Sequence, residues 1–263
     1  NKVMKRKKVQ NKRNNRLFTI ATTLLLFIFS VSVFMVGKEL IQSKKEQDAF
    51  KDLTTIVEQS NNKNDNDNTN TEELKPNYDE LYHMNNDFIG WLSIPNTKVD
   101  YPVMYTPNEP EYYLRRGFDK TYFQSGTPFI GENCTIDSDC LIIYGHNMKN
   151  GTMFTTLENF KDKEFYEENK VFSFNTLDEY RNYEVFAAFP TKILNAGEEG
   201  IKYYDYSGDL SEADFEKISN WLITNSLYDT GIKPEYDEQI LILSTCSYHT
   251  ENGRFVVAAR RIK

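Results

Sequence analysis

The sequence predicts a mostly β domain with a few helices, preceded by a long apolar segment near the N-terminus. Between residues 76 and 263, about eight short segments are rich in β-branched and aromatic residues. Gly, Pro, Asn and Asp separate them, as turn residues separate strands. A domain of about 190 residues is long enough to bury one substantial core. This number of short strands is typical of a mixed β-barrel or a sandwich.

The predicted strands share an apolar centre bounded by turn residues. In chain order they are GWLSIP, KVDYPVMY, GTPFIG, CLIIYG, VFSFN, RNYEVFAAFP, QILILSTC and RFVVAARRI.

Three helices are predicted among these strands, in YDELYHMNNDF, TLENFKDKEFYEENK and SEADFEKISNWLITNSL. In the third, Ser211 with Asp214 resembles a capping box, and apolar residues follow at helical spacing. This helix lies in an insertion of nearly fifty residues between the strand ending near Pro190 and the strand starting near Gln239. Connections of that length often have a function of their own.

The N-terminal region predicts a membrane anchor. Residues 1–16 carry eight Lys or Arg and no acid, whereas residues 17–36 carry no charge. Twenty helical residues reach about 30 Å, the thickness of a bilayer's hydrocarbon core. A cleaved signal peptide is the alternative, but a small-residue cleavage site is not obvious after the span. The positive-inside rule predicts a cytoplasmic tail at 1–16 and an extracellular remainder.

Residues 37–75 predict a connection between the anchor and the domain at 76–263. Up to about Gln59 the apolar residues have partly helical spacing, which predicts an exposed helical stalk. Residues 60–73 contain no apolar side chain and predict a flexible spacer. The formal charge after residue 16 is −16, because the basic tail contributes +8 to the total of −8. An acidic body argues against nucleic acid as its partner.

Three cysteines follow the span: Cys134, Cys140 and Cys246. An odd number in an exported protein means at least one free thiol. Cys134 and Cys140 could close a small disulfide loop, and the sequence leaves that question open. The three cysteines and three histidines lack metal-ligand spacing, so neither a metal nor another cofactor is expected.

Cys246, at the end of an apolar strand, is the candidate nucleophile. Thiol chemistry needs a thiolate, a proton-transfer partner and donors for an oxyanion. The possible bases are His83, His146 and His249. His146 follows the apolar strand CLIIY through Gly145, at a strand end where site residues are commonly mounted, although an ordinary turn histidine is the alternative.

Arg254 is the candidate oxyanion donor. If the last two strands are antiparallel neighbours joined by SYHTENG, Cys246 and Arg254 lie opposite each other, with Cβ atoms about 5 Å apart. A guanidinium there favours the thiolate and can donate to an oxyanion. A solvated arginine at a sheet edge is the alternative.

These residues lie in segments that resemble the sortase family. LSTC followed by GRFVVAARRI, and preceded upstream by IIYGHNMKNGTMF, resembles the sortase signature. The forms GWLSIPNTKVDYPVM and YYLRRGF resemble class B in particular. The resemblance covers residues 76–263. It implies an eight-stranded β-barrel with an N-terminal helix and a long helical insertion before the cysteine strand.

The resemblance also implies an activity. Sortases are extracellular cysteine transpeptidases of Gram-positive bacteria, and carrying the site over gives Cys246 as nucleophile, His146 as general acid/base and Arg254 as oxyanion donor. For class B, the expected reaction cleaves an Asn-Pro-x-Thr-x sorting signal of a surface protein at the Thr carbonyl. A thioester forms, and an amine of peptidoglycan or lipid II resolves it.

The expected substrate groove is also carried over from the resemblance, and each of its residues could instead pack in the interior. Its members are Tyr113, Leu114, Ser244, Thr245 and the stretch 201–206, which includes Tyr203 and Tyr204. Ser247 and Tyr248 follow the cysteine where some relatives have an acidic residue, so an acidic third member of a triad is not expected.

Other thiol enzymes fit the sequence less well. An L,D-transpeptidase would show a Gly-Cys-x-Arg motif, but Ser-Thr precedes Cys246. A papain-like peptidase would place its cysteine before its histidine, but here His146 comes first. A membrane-anchored binding module with a degenerate site is a third alternative, and an unreactive Cys246 would indicate it.

Overall fold

A computed structural model describes residues 2–67 and 77–262, with side chains described for 18–60 and 77–262. The chain divides into two units, residues 1–48 and 49–263. The first unit contains most of helix α1, Lys2–Asp67. Phe18–Ser60 is long and apolar enough to cross a membrane by length and composition. Every side chain from 18 to 36 is exposed.

The helical stalk predicted after the anchor is part of α1, which continues to Asp67. The expectation that the stalk is exposed is wrong for Phe50 and Leu53, which are buried in the core of the second unit. The helix therefore includes the first eight residues of the segment predicted as a flexible spacer. Adding residues to an existing helix costs far less than nucleating one. The rest of the predicted spacer lies outside the described residues.

The described part of the second unit contains eight strands, and each of the eight predicted strands is confirmed. They are β1 (Phe88–Ser93), β2 (Asp100–Met104), β3 (Phe129–Ile130), β4 (Cys140–Tyr144), β5 (Val171–Thr176), β6 (Asn182–Lys192), β7 (Ile240–Cys246) and β8 (Gly253–Ile262). They form a closed barrel in the order β1-β2-β3-β4-β7-β8-β6-β5. The β2–β3 and β4–β7 pairs are parallel, and the other pairs are antiparallel.

The helices follow the predictions with one difference. The first and third are α2 (Asp79–Met84) and α4 (Glu212–Asn225), and the Ser211 hydroxyl caps α4 by accepting from Asp214 N at 3.2 Å. The second is not one helix but two, a 3-10 helix at Phe154–Lys161 and α3 at Lys163–Asn169. Asp162 between them is extended, and its carboxylate caps α3.

Strand β7 is buried on both faces, which explains its continuous apolar run. Leu241 and Leu243 point into the barrel core. Ile240 and Ile242 belong to a second apolar cluster, which α4 shares through Phe215 and other residues. The insertion thus covers the outer face of the sheet. Because both faces of β7 are covered, its sequence is continuously apolar and does not alternate between apolar and polar residues.

The buried guanidinium of Arg181 joins two segments at the end of the barrel that lies away from Cys246. Arg181 is 4% exposed and contacts the carboxylates of Asp137 and Glu179. It also donates to Ile136 O at 2.6 Å. These contacts join the start of β6 to the loop that leads into β4.

Replacing Arg181 with Met should lower the free energy of unfolding by about 2–3 kcal/mol, because the partly buried carbonyl of Ile136 and two carboxylates lose a charged donor. Denaturant unfolding measures this loss. Activity of the folded fraction should stay unchanged, since Arg181 lies at the other end of the strands that hold Cys246. An unchanged unfolding midpoint would contradict the assigned role of Arg181.

Candidate active site

The pairing of β4 with β7 places His146 beside Cys246. The two strands are parallel, with Tyr144 opposite Ser244. The ladder continues past the end of β4, because Gly145 N donates to Ser244 O at 3.2 Å. The same register brings the next residue, His146, level with Cys246. His146 and Cys246 are therefore one hundred residues apart in sequence because the parallel strands pair in that register.

The β7–β8 hairpin places Arg254 opposite Cys246, as predicted. Ser247 N donates to Gly253 O at 3.0 Å and closes the ladder at the loop. A Cβ on Gly253 would lie 2.2 Å from Ser247 O, so a side chain there would push the loop away from the strand. Two strand pairings thus bring a thiol, an imidazole and a guanidinium together.

These three side chains line one cleft of about 470 Å³. Five residues predicted for the groove also line it, namely Leu114, Tyr204, Asp205, Ser244 and Thr245. Sequence reasoning missed the wall formed by Phe129 and residues 131–133, which come from β3 and the loop after it. Their place depends on the β3–β4 pairing, and no residue type in that segment signals a site.

The backbone carbonyl of Leu114 orients the imidazole. His146 Nε2 lies 2.8 Å from Leu114 O. Because a carbonyl only accepts, Nε2 carries the hydrogen, and Nδ1 of the neutral ring is the nitrogen that can take a proton. Leu114 therefore acts through its backbone as well as lining the cleft.

The Leu114 carbonyl is itself held in a tight turn. Leu114 lies in a 3-10 helix, Tyr112–Arg115, and Gly126 packs against it. Gly126 has a φ of +61°, and a Cβ there would lie 2.5 Å from Leu114 O. Only glycine fits this conformation and this close approach without strain.

The prediction that Tyr113 lines the groove does not match its position. Tyr113 is fully buried, donates to Asp87 Oδ2 at 2.7 Å and accepts from Asn85 Nδ2 at 2.7 Å. A buried phenol needs such partners, and neither of them lines the cleft. Tyr113 therefore anchors the 3-10 helix that presents Leu114.

Tyr203 also lies behind the wall and not in it. It is 1% exposed, and its hydroxyl lies 2.8 Å from Ser244 Oγ. Burial raises the pKa of Tyr203 to about 12, although the hydroxyl of Ser244 and the charge of Arg254 oppose the rise. The phenol is neutral at physiological pH, and it contacts Ser244 from the protein interior. Its segment is a 3-10 helix, Tyr203–Tyr206.

Of the three histidines, His146 is the one that lines the cleft. His83 lies in α2, and His249 Nδ1 lies 3.1 Å from Ser247 Oγ in the hairpin loop.

Cys134 and Cys140, for which the sequence left a disulfide open, are buried free thiols. Burial raises the pKa of both, which leaves them protonated.

A closed barrel that holds a thiol, an imidazole and a guanidinium in one cleft defines a cysteine-dependent acyl-transfer enzyme. The Sortase domain family model matches residues 92–262. The chain therefore belongs to the sortase family, whose members are cysteine transpeptidases.

Its relatives in that family are class B sortases. The chain is 28% identical to sortase B of Listeria monocytogenes over 92% of this chain and 95% of the relative. It is 25% identical to sortase B of Staphylococcus aureus over 95% and 99% of the two chains. The structure of a Staphylococcus aureus sortase B–substrate complex matches with a TM-score of 0.73, at 24% identity, over 85% of this chain and 99% of that one. That structure has the same fold.

The electrostatics of the cleft favour a neutral imidazole. Burial lowers the pKa of His146, the hydrogen bond to Leu114 O raises it, and the nearby cation of Arg115 lowers it further. The net direction is below the usual histidine value.

Replacing Arg115 with Gln should raise the pKa of His146, because a neighbouring cation disfavours the imidazolium. Proton NMR titration of the His146 ring measures the shift. Arg116→Gln is the matched control, since Arg116 lies over the Tyr112 ring and does not act on the imidazole. Equal His146 titration in wild type and the Arg115 variant would refute this origin of the shift.

Proposed function

We propose that the chain is a membrane-anchored transpeptidase that cleaves a sorting signal of the Asn-Pro-x-Thr-x type and joins the surface protein to a cell-wall amine. The observation that carries the proposal is the meeting of Cys246, His146 and Arg254 in one cleft. The strand registers that bring them together support their roles.

In the first half-reaction, neutral His146 takes the proton of the Cys246 thiol at Nδ1 and becomes an imidazolium. The Cys246 thiolate then attacks the Thr carbonyl carbon, and the carbonyl oxygen becomes an oxyanion. The Arg254 guanidinium, opposite Cys246 in the hairpin, stabilises that oxyanion. When the oxyanion collapses, the C–N bond breaks and the leaving amine takes a proton from the His146 imidazolium. The product is a thioester on Cys246 and the released C-terminal peptide.

In the second half-reaction, the amine of a peptidoglycan peptide or of lipid II attacks the thioester. His146 takes a proton from the attacking amine, and its lowered pKa favours the neutral form that can accept that proton. The thiolate leaves, and an amide joins the protein to the cell wall. No cofactor takes part in either step.

The walls of the cleft suit an extended peptide. Leu114 and Phe129 provide apolar surface, while Ser244, Thr245 and Tyr204 provide hydroxyl groups near the nucleophile. Tyr113 and Tyr203 support this wall from the interior.

The N-terminal helix would anchor the enzyme, with residues 1–16 in the cytoplasm and the barrel outside. The exposure of every side chain from 18 to 36 supports this part of the proposal. Tethering enzyme and lipid-linked substrate to one membrane raises their effective concentration.

Cys246→Ala and His146→Ala should each reduce cleavage of an Asn-Pro-x-Thr-x peptide by at least about a thousand-fold, because each removes a group that acts in the reaction. The measurement is fluorescence of a quenched peptide, with circular dichroism to verify the fold. His249→Ala is the matched control, since it removes an imidazole three residues from Cys246 but outside the cleft. Near-normal turnover by the Cys246 or His146 variant would end the proposal.

Mass spectrometry separates transpeptidation from hydrolysis. With a peptidoglycan stem peptide that carries a free amine, we expect a thioester on Cys246 and then an amide-linked product. Release of free acid alone, at every amine concentration, would leave a peptidase in place of a transpeptidase.

A further inference from the structure

We propose that Asn147 is a positioning residue whose side-chain amide supplies the last rung between β4 and β7 and so fixes Cys246 beside His146. The inference rests on the proposed function of this cleft. It gives a role to the residue that follows His146 in the GHNMKNGTMF segment.

The backbone ladder between the two strands stops one rung before the cysteine. Gly145 N donates to Ser244 O at 3.2 Å. In a parallel pair, the next donor on the same strand is the backbone N–H two residues on, and the next acceptor is Cys246 O. The chain turns away first, because Phe154 N donates to His146 O and Asn147 forms a bridge with Met153.

The Asn147 side chain takes the place of that backbone donor. Its Nδ2 lies 2.9 Å from Cys246 O, a good hydrogen-bond length. The same nitrogen lies 3.3 Å from Glu158 Oε1. Both partners only accept, so the amide must present its nitrogen and not its oxygen to them.

Glu158 holds the amide in this orientation. Lys161 pairs with it at 2.7 Å across one turn of the 3-10 helix. Burial raises the pKa of Glu158, but hydrogen bonds from Lys161 and Ser247 outweigh it and lower the pKa. The carboxylate thus stays charged and remains an acceptor for Asn147.

Loss of the hydrogen bond from Asn147 would leave the backbone of Cys246 unrestrained on the side that faces the His146 loop. β8 would still hold the Ser247 side of the strand end, and Thr245 Oγ1 would still donate to Gly145 O at 2.7 Å. The peptide group after Cys246 would have no partner toward the His146 loop. A displacement of about 1 Å at a reacting group can cost about a hundred-fold in rate.

The test is Asn147→Asp, which keeps the shape of the side chain and replaces the donor with an acceptor, together with the neutral variant Asn147→Ala. Asn150→Asp is the matched control. It makes the same chemical change three residues along the same loop, where Asn150 Oδ1 accepts from Thr152 N and Oγ1, and aspartate can accept in the same way. Each kcat is normalised to the Cys246 thiol that iodoacetamide titrates, and melting temperature is measured in parallel.

For both Asn147 variants we expect kcat to fall about ten- to a hundred-fold, with KM within about two-fold of wild type. The Asn150 variant should match wild type in both constants. The inference is overturned if kcat per titrated thiol is within about two-fold of wild type in the Asn147 variants. It is also overturned if KM alone changes, or if Asn150→Asp loses as much.

Failure of the proposed function gives a different result. If wild-type enzyme does not cleave any sorting-signal peptide, the proposed function fails. Cys246 alkylation rates then test Asn147 independently, because an equal rate in wild type and both Asn147 variants would show that the amide does not position the thiol.

Discussion

The parallel pairing of β4 with β7 is the interaction on which the candidate active cleft depends. It joins segments one hundred residues apart, from Cys140 opposite Ile240 to Tyr144 opposite Ser244. Backbone hydrogen bonds set this register, and a slip of one residue would move the β7 side chains that pack in the barrel core to the face that packs against α4. Both faces of β7 are buried, so such a slip would be costly. The packing of the core therefore also determines the distance between thiol and imidazole.

Around this pairing, further residues set the orientation of the side chains that are proposed to react. The Leu114 carbonyl selects the nitrogen of His146 that carries the hydrogen. Tyr113 and Gly126 hold that carbonyl, one through a buried phenol and one through the absence of a side chain. On the other side of the cleft, Tyr203 supports Ser244. The rigidity of the site comes mainly from residues that would not contact substrate.

The insertion before β7 is both part of the core and part of the cleft. Helix α4 covers the outer face of the sheet, where Phe215 and Ile218 share a cluster with Ile242. The 3-10 helix at Tyr203–Tyr206 contributes Tyr204 to the wall. A change in α4 packing would therefore reach the cleft through the segment that precedes it.

Local patterns in the sequence determined the eight strands, the cap of α4 at Ser211 and the β7–β8 hairpin that pairs Cys246 with Arg254. These features depend on side-chain alternation and turn residues within a short stretch, so they can be read from neighbouring residues. The choice of His146 over His249 came from the family resemblance. Only the tertiary structure placed His146 level with Cys246, turned Tyr113 and Tyr203 inward and left Cys134 and Cys140 as separate thiols. The physical reason is that pairing between distant strands, and the space beneath a cleft wall, depend on the whole barrel and leave no periodic signal in any one segment.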